Sequence, residues 1–160
     1  MKVRCICATL IVSLFAGMAP AGASQDWRKT GSADKKIANL VEVMPATGNV
    51  MIEMGERYKN LYWAAKQGQW EFAAYQAEEM EELLDKLKIV RPELGKTANE
   101  FLGSMYPRMP NAIKTRNWEK FAAAFEDLRT ECMACHGKNE HGFITLPVPK
   151  KASSPVLDME

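Results

Sequence analysis

This 160-residue chain has almost no net charge, few histidines, no strand-like alternation and a single long apolar run. Twenty-one basic residues stand against 20 acidic ones, so there is no positive surplus of the kind that grips nucleic acid. The length suits one domain with a single core better than two. The apolar run sits at the very start. Lys2 and Arg4 precede a mostly apolar stretch from Ile6 to Met18, and Ala21-Gly22-Ala23 then offers a small-x-small cleavage pattern. This reads as a secretory leader over residues 1–23. The run is shorter than the roughly 20 residues needed to span a bilayer core, so a membrane anchor is the weaker reading. Cleavage after Ala23 removes Lys2 and Arg4, leaving 19 basic against 20 acidic residues, a formal charge of −1. No second apolar run follows, which predicts an exported chain, periplasmic or secreted, with no membrane attachment after cleavage.

Cysteine is equally sparse. Cys5 and Cys7 lie inside the leader and leave with it, so only Cys132 and Cys135 remain. Two cysteines cannot build a disulfide framework, although the compartment is oxidising. A close pair in an exported chain calls for one shared explanation.

What the sequence does have is helical periodicity. Residues 24–46 are polar and charged, and read as an extended arm. Beyond Pro45, Met51, Met54, Tyr58, Leu61 and Ala65 recur at three- and four-residue steps and mark one apolar helix face. Thr47 or Asn49 is a candidate cap for that helix, and Gly68 a candidate stop. Trp70, Ala73, Ala77, Met80, Leu84 and Leu87 make a second face, which should end near Val90 because Pro92 disfavours helical geometry in Arg91. A third segment opens at Pro92 with Leu94, Ala98, Phe101, Leu102 and Met105. Pro107 and Pro110 should break it, leaving a short helical piece from about Asn111 to Thr115. In the fourth, Asn117 is placed to cap a stripe of Trp118, Phe121, Phe125, Leu128, Cys132 and Cys135. Four amphipathic helices with short connections predict an all-α fold, an antiparallel four-helix bundle over residues 47–137. The proline-rich stretch 138–160 reads as an extended tail.

Cys132-Met133-Ala134-Cys135-His136 is C-x-x-C-H, the attachment pattern of c-type haem. Two thiols three apart on a helix share a face, so each can add to one vinyl group of a porphyrin. The following imidazole is then placed as the proximal iron ligand. The expectation is one covalent haem c, with Cys132 and Cys135 as thioether donors and His136 on the iron. A zinc site built from Cys132, Cys135, His136 and His141 and a thioredoxin-like redox pair stay open as alternatives. The helix phase favours haem, because the motif continues the apolar stripe of the fourth helix and not its charged face with Glu119, Lys120 and Glu126.

A helical chain ending in Phe121-x-x-x-Phe125-x-x-Leu128-x-x-x-Cys132-Met-Ala-Cys135-His136 resembles the class II cytochromes c, the group of cytochrome c prime and its low-spin, methionine-ligated relatives. The resemblance covers the pattern of residues 48–137, and only C-x-x-C-H is specific. It implies an antiparallel four-helix bundle with haem near the end of the last helix. In low-spin members it also implies a methionine near the start of the first helix as distal ligand. Met51 matches that place, with Met54 as the alternative. It further allows a homodimer through the first two helices. One departure is the 24 residues that follow His136. Their run His141-Gly-Phe-Ile-Thr-Leu-Pro resembles the haem-covering tail of a related set of secreted monohaem proteins, which also carry an Arg-x-x-x-Leu-x-x-Ala stretch like Arg57 to Ala64.

The distal residue decides function. Iron held by histidine and methionine is six-coordinate and suits electron transfer, whereas histidine alone leaves a site open to small gases. The expectation is therefore a periplasmic electron-transfer cytochrome, not an enzyme, working with redox partner proteins. The alternative is a five-coordinate haem protein binding nitric oxide or carbon monoxide. Arg57 and Arg129 are candidates for pairing with haem propionates. Trp63, Trp70 and Trp118 are candidates for packing on the porphyrin or for the core. Glu78, Glu79, Glu81, Glu82 and Asp85 form either a docking face for a basic partner or a solvated helix face.

Overall fold

Apolar residues spaced three and four apart fold as helix throughout. In the computed structural model, which describes residues 26–153, every regular element is helical and no strand occurs among the described residues. The expected leader, residues 1–23, and the tail beyond residue 153 lie outside the described residues. No helix among the described residues is long and apolar enough to cross a membrane.

The described residues fall into two units, divided between Glu42 and Val43. The first contains helix α1, Ala33–Glu42, which corrects the expectation of an extended arm over residues 24–46. Ser32 Oγ accepts the Lys35 backbone N–H at 3.3 Å and starts the helix. Ile37, Leu40 and Val41 then fall three and four apart, a short stripe hidden among charged neighbours. No residue of α1 is buried.

The second unit holds α2 (Thr47–Lys66), α3 (Trp70–Val90), one turn of 3-10 helix (Pro92–Leu94), α4 (Gly95–Met105), α5 (Arg108–Lys114) and α6 (Trp118–Lys138). Neither Thr47 nor Asn49 caps α2. Its N-cap is Ala46, and no side chain closes it. Gly68 does end it: at φ 72° its N–H reaches Ala65 O at 3.0 Å, while Gln69 N–H reaches Ala64 O at 2.8 Å. That pair of bonds is a Schellman closure, which needs a left-handed residue. α3 stops at Val90, ahead of Pro92. The short helix begins at Arg108 and not at Asn111, because Pro110 sits in its first turn, where a missing N–H costs nothing. Asn117 caps α6 through Oδ1, which accepts the Lys120 N–H at 2.9 Å.

α2 packs along α3, and α6 meets α2 on one side and α4 and α5 on the other, with α4 and α5 also lying against α3. The core between them is built on Leu61, Met105, Phe121, Phe125 and Leu128, all essentially inaccessible. Tyr58 stacks on Phe125 with centroids 4.7 Å apart, and Tyr62 meets Trp118 edge-on at 5.4 Å. α2 and α6 therefore run antiparallel in a defined register. Two stability changes follow. Gly68→Ala should cost about 1–2 kcal/mol through its left-handed φ, and Phe125→Ala about 3–5 kcal/mol through lost core volume. Urea titration measures both, and a loss under about 1 kcal/mol at Phe125 would contradict its place in the core.

Candidate functional site

The register of α2 and α6 sets the site. Stepping from the stacked pair Tyr58 and Phe125 toward the start of α2 and the end of α6 brings Met51 level with Cys132. Met54 lies about one turn farther from His136. Both cysteines pack against the core that Phe121, Phe125 and Leu128 anchor. Cys132, Cys135 and His136 open into a cavity of about 770 Å³. Met51, Met54 and Tyr58 of α2 line it, with Met80, Leu84 and Leu87 of α3 and Ala98 and Phe101 of α4. The walls are overwhelmingly apolar.

The tail lines the remaining side. α6 ends with Glu140 at φ 64° and His141 N–H bonded to His136 O at 2.8 Å, so the chain reverses at once. Residues 144–151 then run along the cavity and line it. Arg129 Nη1 donates to Leu146 O at 3.1 Å, Tyr58 Oη to Pro147 O at 3.0 Å, and Ser153 N–H to Asn60 Oδ1 at 2.9 Å. The described part of the tail beyond α6 forms no regular element and is docked as a strap.

His136 Nδ1 lies 3.3 Å from Ile144 O. A carbonyl only accepts, so Nδ1 carries the proton and Nε2 keeps its lone pair for a metal. Cys132 and Cys135 are free thiols. Burial, with the neighbouring Cys135 and Glu131 adding to it, pushes the Cys132 thiol up to about 12. The Cys135 thiol is also raised by burial, partly offset by hydrogen bonds from Thr97 and Asn139. Asn139 Nδ2 fixes this corner by donating to Cys135 O at 2.8 Å and to Thr97 Oγ1 at 3.1 Å.

Other candidates fall elsewhere. Arg57 does not reach the cavity; it pairs with Glu53 at 3.2 Å and Glu79 at 3.3 Å and lies over the Tyr75 ring. Arg129 is taken by Glu126 and the strap. Trp63, Trp70 and Trp118 pack against the core, and none lines the cavity. The acidic run on α3 is partly neutralised by its own neighbours, with Lys86 on Glu82 and Lys88 on Asp85. No three His, Cys, Asp or Glu side chains converge as a metal site among the described residues, so Cys132, Cys135, His136 and His141 do not form the tetrahedral set zinc needs. A thioredoxin-like pair would follow a strand, and no strand occurs among the described residues.

The chain matches no protein-family model, no curated protein and no solved structure.

Geometry therefore carries the argument. Two thiols on one helix face, an imidazole with Nε2 free and apolar walls fit a covalently held haem. The volume lies within the ~300–1,000 Å³ typical of ligand pockets. Reading the residues missed Lys59, Lys150 and Lys151, which also line the cavity. One signal was there: Ile144, Leu146 and Val148, apolar at alternate positions, mark a tail that docks. In polypeptide expressed without haem, Cys132 should alkylate about a thousandfold more slowly than a free cysteine at pH 8. Its rate should rise tenfold per pH unit up to about pH 12, and a plateau near pH 9 would contradict the buried environment.

Proposed function

We propose that this chain is an exported monohaem c-type cytochrome of electron transfer, its haem held within a four-helix bundle. In that bundle α2, α3, the broken α4–α5 segment and α6 are the four members. The observation that carries the reading is that the C-x-x-C-H turn and two methionine side chains of the facing helix line the same large apolar cavity. When bound, haem supplies a one-electron couple at its iron.

The chain's own residues have separate roles. Cys132 and Cys135 tether the macrocycle through thioethers. His136 would offer Nε2 to the iron while the Ile144 carbonyl holds its Nδ1 proton, which fixes the tautomer and the orientation of the ring. Met51 would be the second side chain to hold the iron, favoured over Met54 because the register of Tyr58 on Phe125 places it nearer the level of His136. Leu84, Leu87, Phe101 and the strap give the site apolar walls, and a thioether ligand would raise the potential. The protein works in the periplasm or outside the cell, exchanges electrons with partner proteins and turns over no substrate of its own.

Mass analysis of protein exported with a competent maturation system should show one tetrapyrrole, lost in Cys132→Ser/Cys135→Ser. Optical spectra of the oxidised and reduced protein should be low-spin, turning high-spin in Met51→Ala but not in Met54→Ala. A bare polypeptide would end the proposal. A high-spin wild type that binds carbon monoxide stoichiometrically without losing a protein ligand would replace electron transfer with gas binding.

A further inference from the structure

Three cations line the cavity: Lys59 on α2 and Lys150 and Lys151 on the strap. Their places are linked. The Ser153 N–H bond to Asn60 Oδ1 pins the strap two residues beyond Lys151 to the residue after Lys59. Lys59 lies eight residues along α2 from Met51, about 12 Å at the helical rise. The lysines therefore gather toward the end of the cavity away from Met51, the residue level with Cys132.

Lys59 is already neutralised by Glu56 at 2.6 Å. Neither Lys150 nor Lys151 has an ion-pair partner among the described residues. Glu93 is the one carboxylate among the described lining residues, and it pairs with neither. Lys150 and Lys151 are both exposed, so they stand as solvated cations at the rim of a largely apolar hollow. Set at the end away from the cysteines, they are placed to meet two carboxylates on the far edge of a bound ligand.

Haem has that form, with vinyl groups on one edge of the ring and two propionates on the other. We infer that Lys150 and Lys151 bind the two propionates, so that the strap clasps the carboxylate edge while the cysteines hold the vinyl edge. Arg57 and Arg129, engaged elsewhere, take no part. Lysine is a compact cation that suits such point contacts. The strap would then serve as lid and anchor at once: it holds the His136 proton through Ile144 at one end and the propionates at the other. This inference rests on the haem reading of the same cavity.

A water-soluble carbodiimide tests it on the holoprotein. The reagent joins a carboxyl to an amine in direct contact. An amide bond forms, the carboxyl oxygen leaves in the urea by-product, and the linked product is lighter than its parts by one water. Lys59–Glu56 at 2.6 Å and Lys138–Glu100 at 2.9 Å are internal standards. Peptide mapping should find the haem peptide containing Cys132–His136 joined to the peptide bearing Lys150 and Lys151. That product should fall at least fivefold in Lys150→Gln/Lys151→Gln, with the standards unchanged. Standards that link while the haem links only to Lys59, to another lysine or to nothing would overturn the inference and leave the haem reading intact. Starting protein without tetrapyrrole mass would overturn that reading, and this inference with it.

Discussion

At the end of α6 the backbone reverses within three residues, and the rest of the site depends on that reversal. Glu140 adopts φ 64° to make it, and His141 N–H closes on His136 O at 2.8 Å. A left-handed non-glycine residue costs about 1–2 kcal/mol, and here it stands one turn past the histidine of the motif. The consequence is directional. The chain leaves the helix back toward its own last turn, so Ile144 meets the His136 ring and the strap passes over the cavity mouth.

The strap itself is held by polar anchors spread along its length. Arg129, Tyr58 and Asn60 each bond to strap backbone, from two different helices. Between these points the apolar residues Leu146 and Val148 face the hollow. Single hydrogen bonds are worth only about 1 kcal/mol net. Several of them, acting with partial burial of Leu146, can hold a segment that has no regular structure of its own. The same division runs through the cavity. Sulfur and imidazole lie near the end of α6, aliphatic and aromatic walls fill the middle, and lysines collect where the strap recrosses α2. A hollow graded in this way suits an amphipathic group better than a small polar substrate.

The aromatic cluster that runs from Tyr58 in the cavity wall to Trp118 fixes how α2 meets α6. Stacking of Tyr58 on Phe125 and the edge contact of Tyr62 with Trp118 set one register, because flat rings pack well in few arrangements. A shift of one turn would carry Met51 away from the level of Cys132. Packing at the inner end of the cavity, where Tyr58 both stacks on Phe125 and lines the hollow, therefore decides which sulfur is available inside it.

Much of this could be read from the residues. Helical periodicity and proline placement located α2, α3 and α6, and gave the break before α5. Phase on α6 put Cys132 and Cys135 on the same side as Phe121, Phe125 and Leu128, because a period of 3.6 residues is a local property. The chemistry of C-x-x-C-H is also local, so the candidate donors Cys132, Cys135 and His136 needed no fold to be found. What stayed hidden depends on contacts distant in sequence. α1 was obscured because three apolar residues among charges leave a faint stripe. Arg57 and Arg129 could not be placed from charge alone, since acidic neighbours compete for guanidinium groups that only packing can aim. Lys150, Lys151 and the Ile144 carbonyl sit in a proline-rich tail without helical periodicity, whose alternation of Ile144, Leu146 and Val148 says that it docks but not where. Only the reversal at Glu140 and the anchors on α2 and α6 bring them to the cavity, and no local pattern encodes where an irregular strand of chain comes to rest.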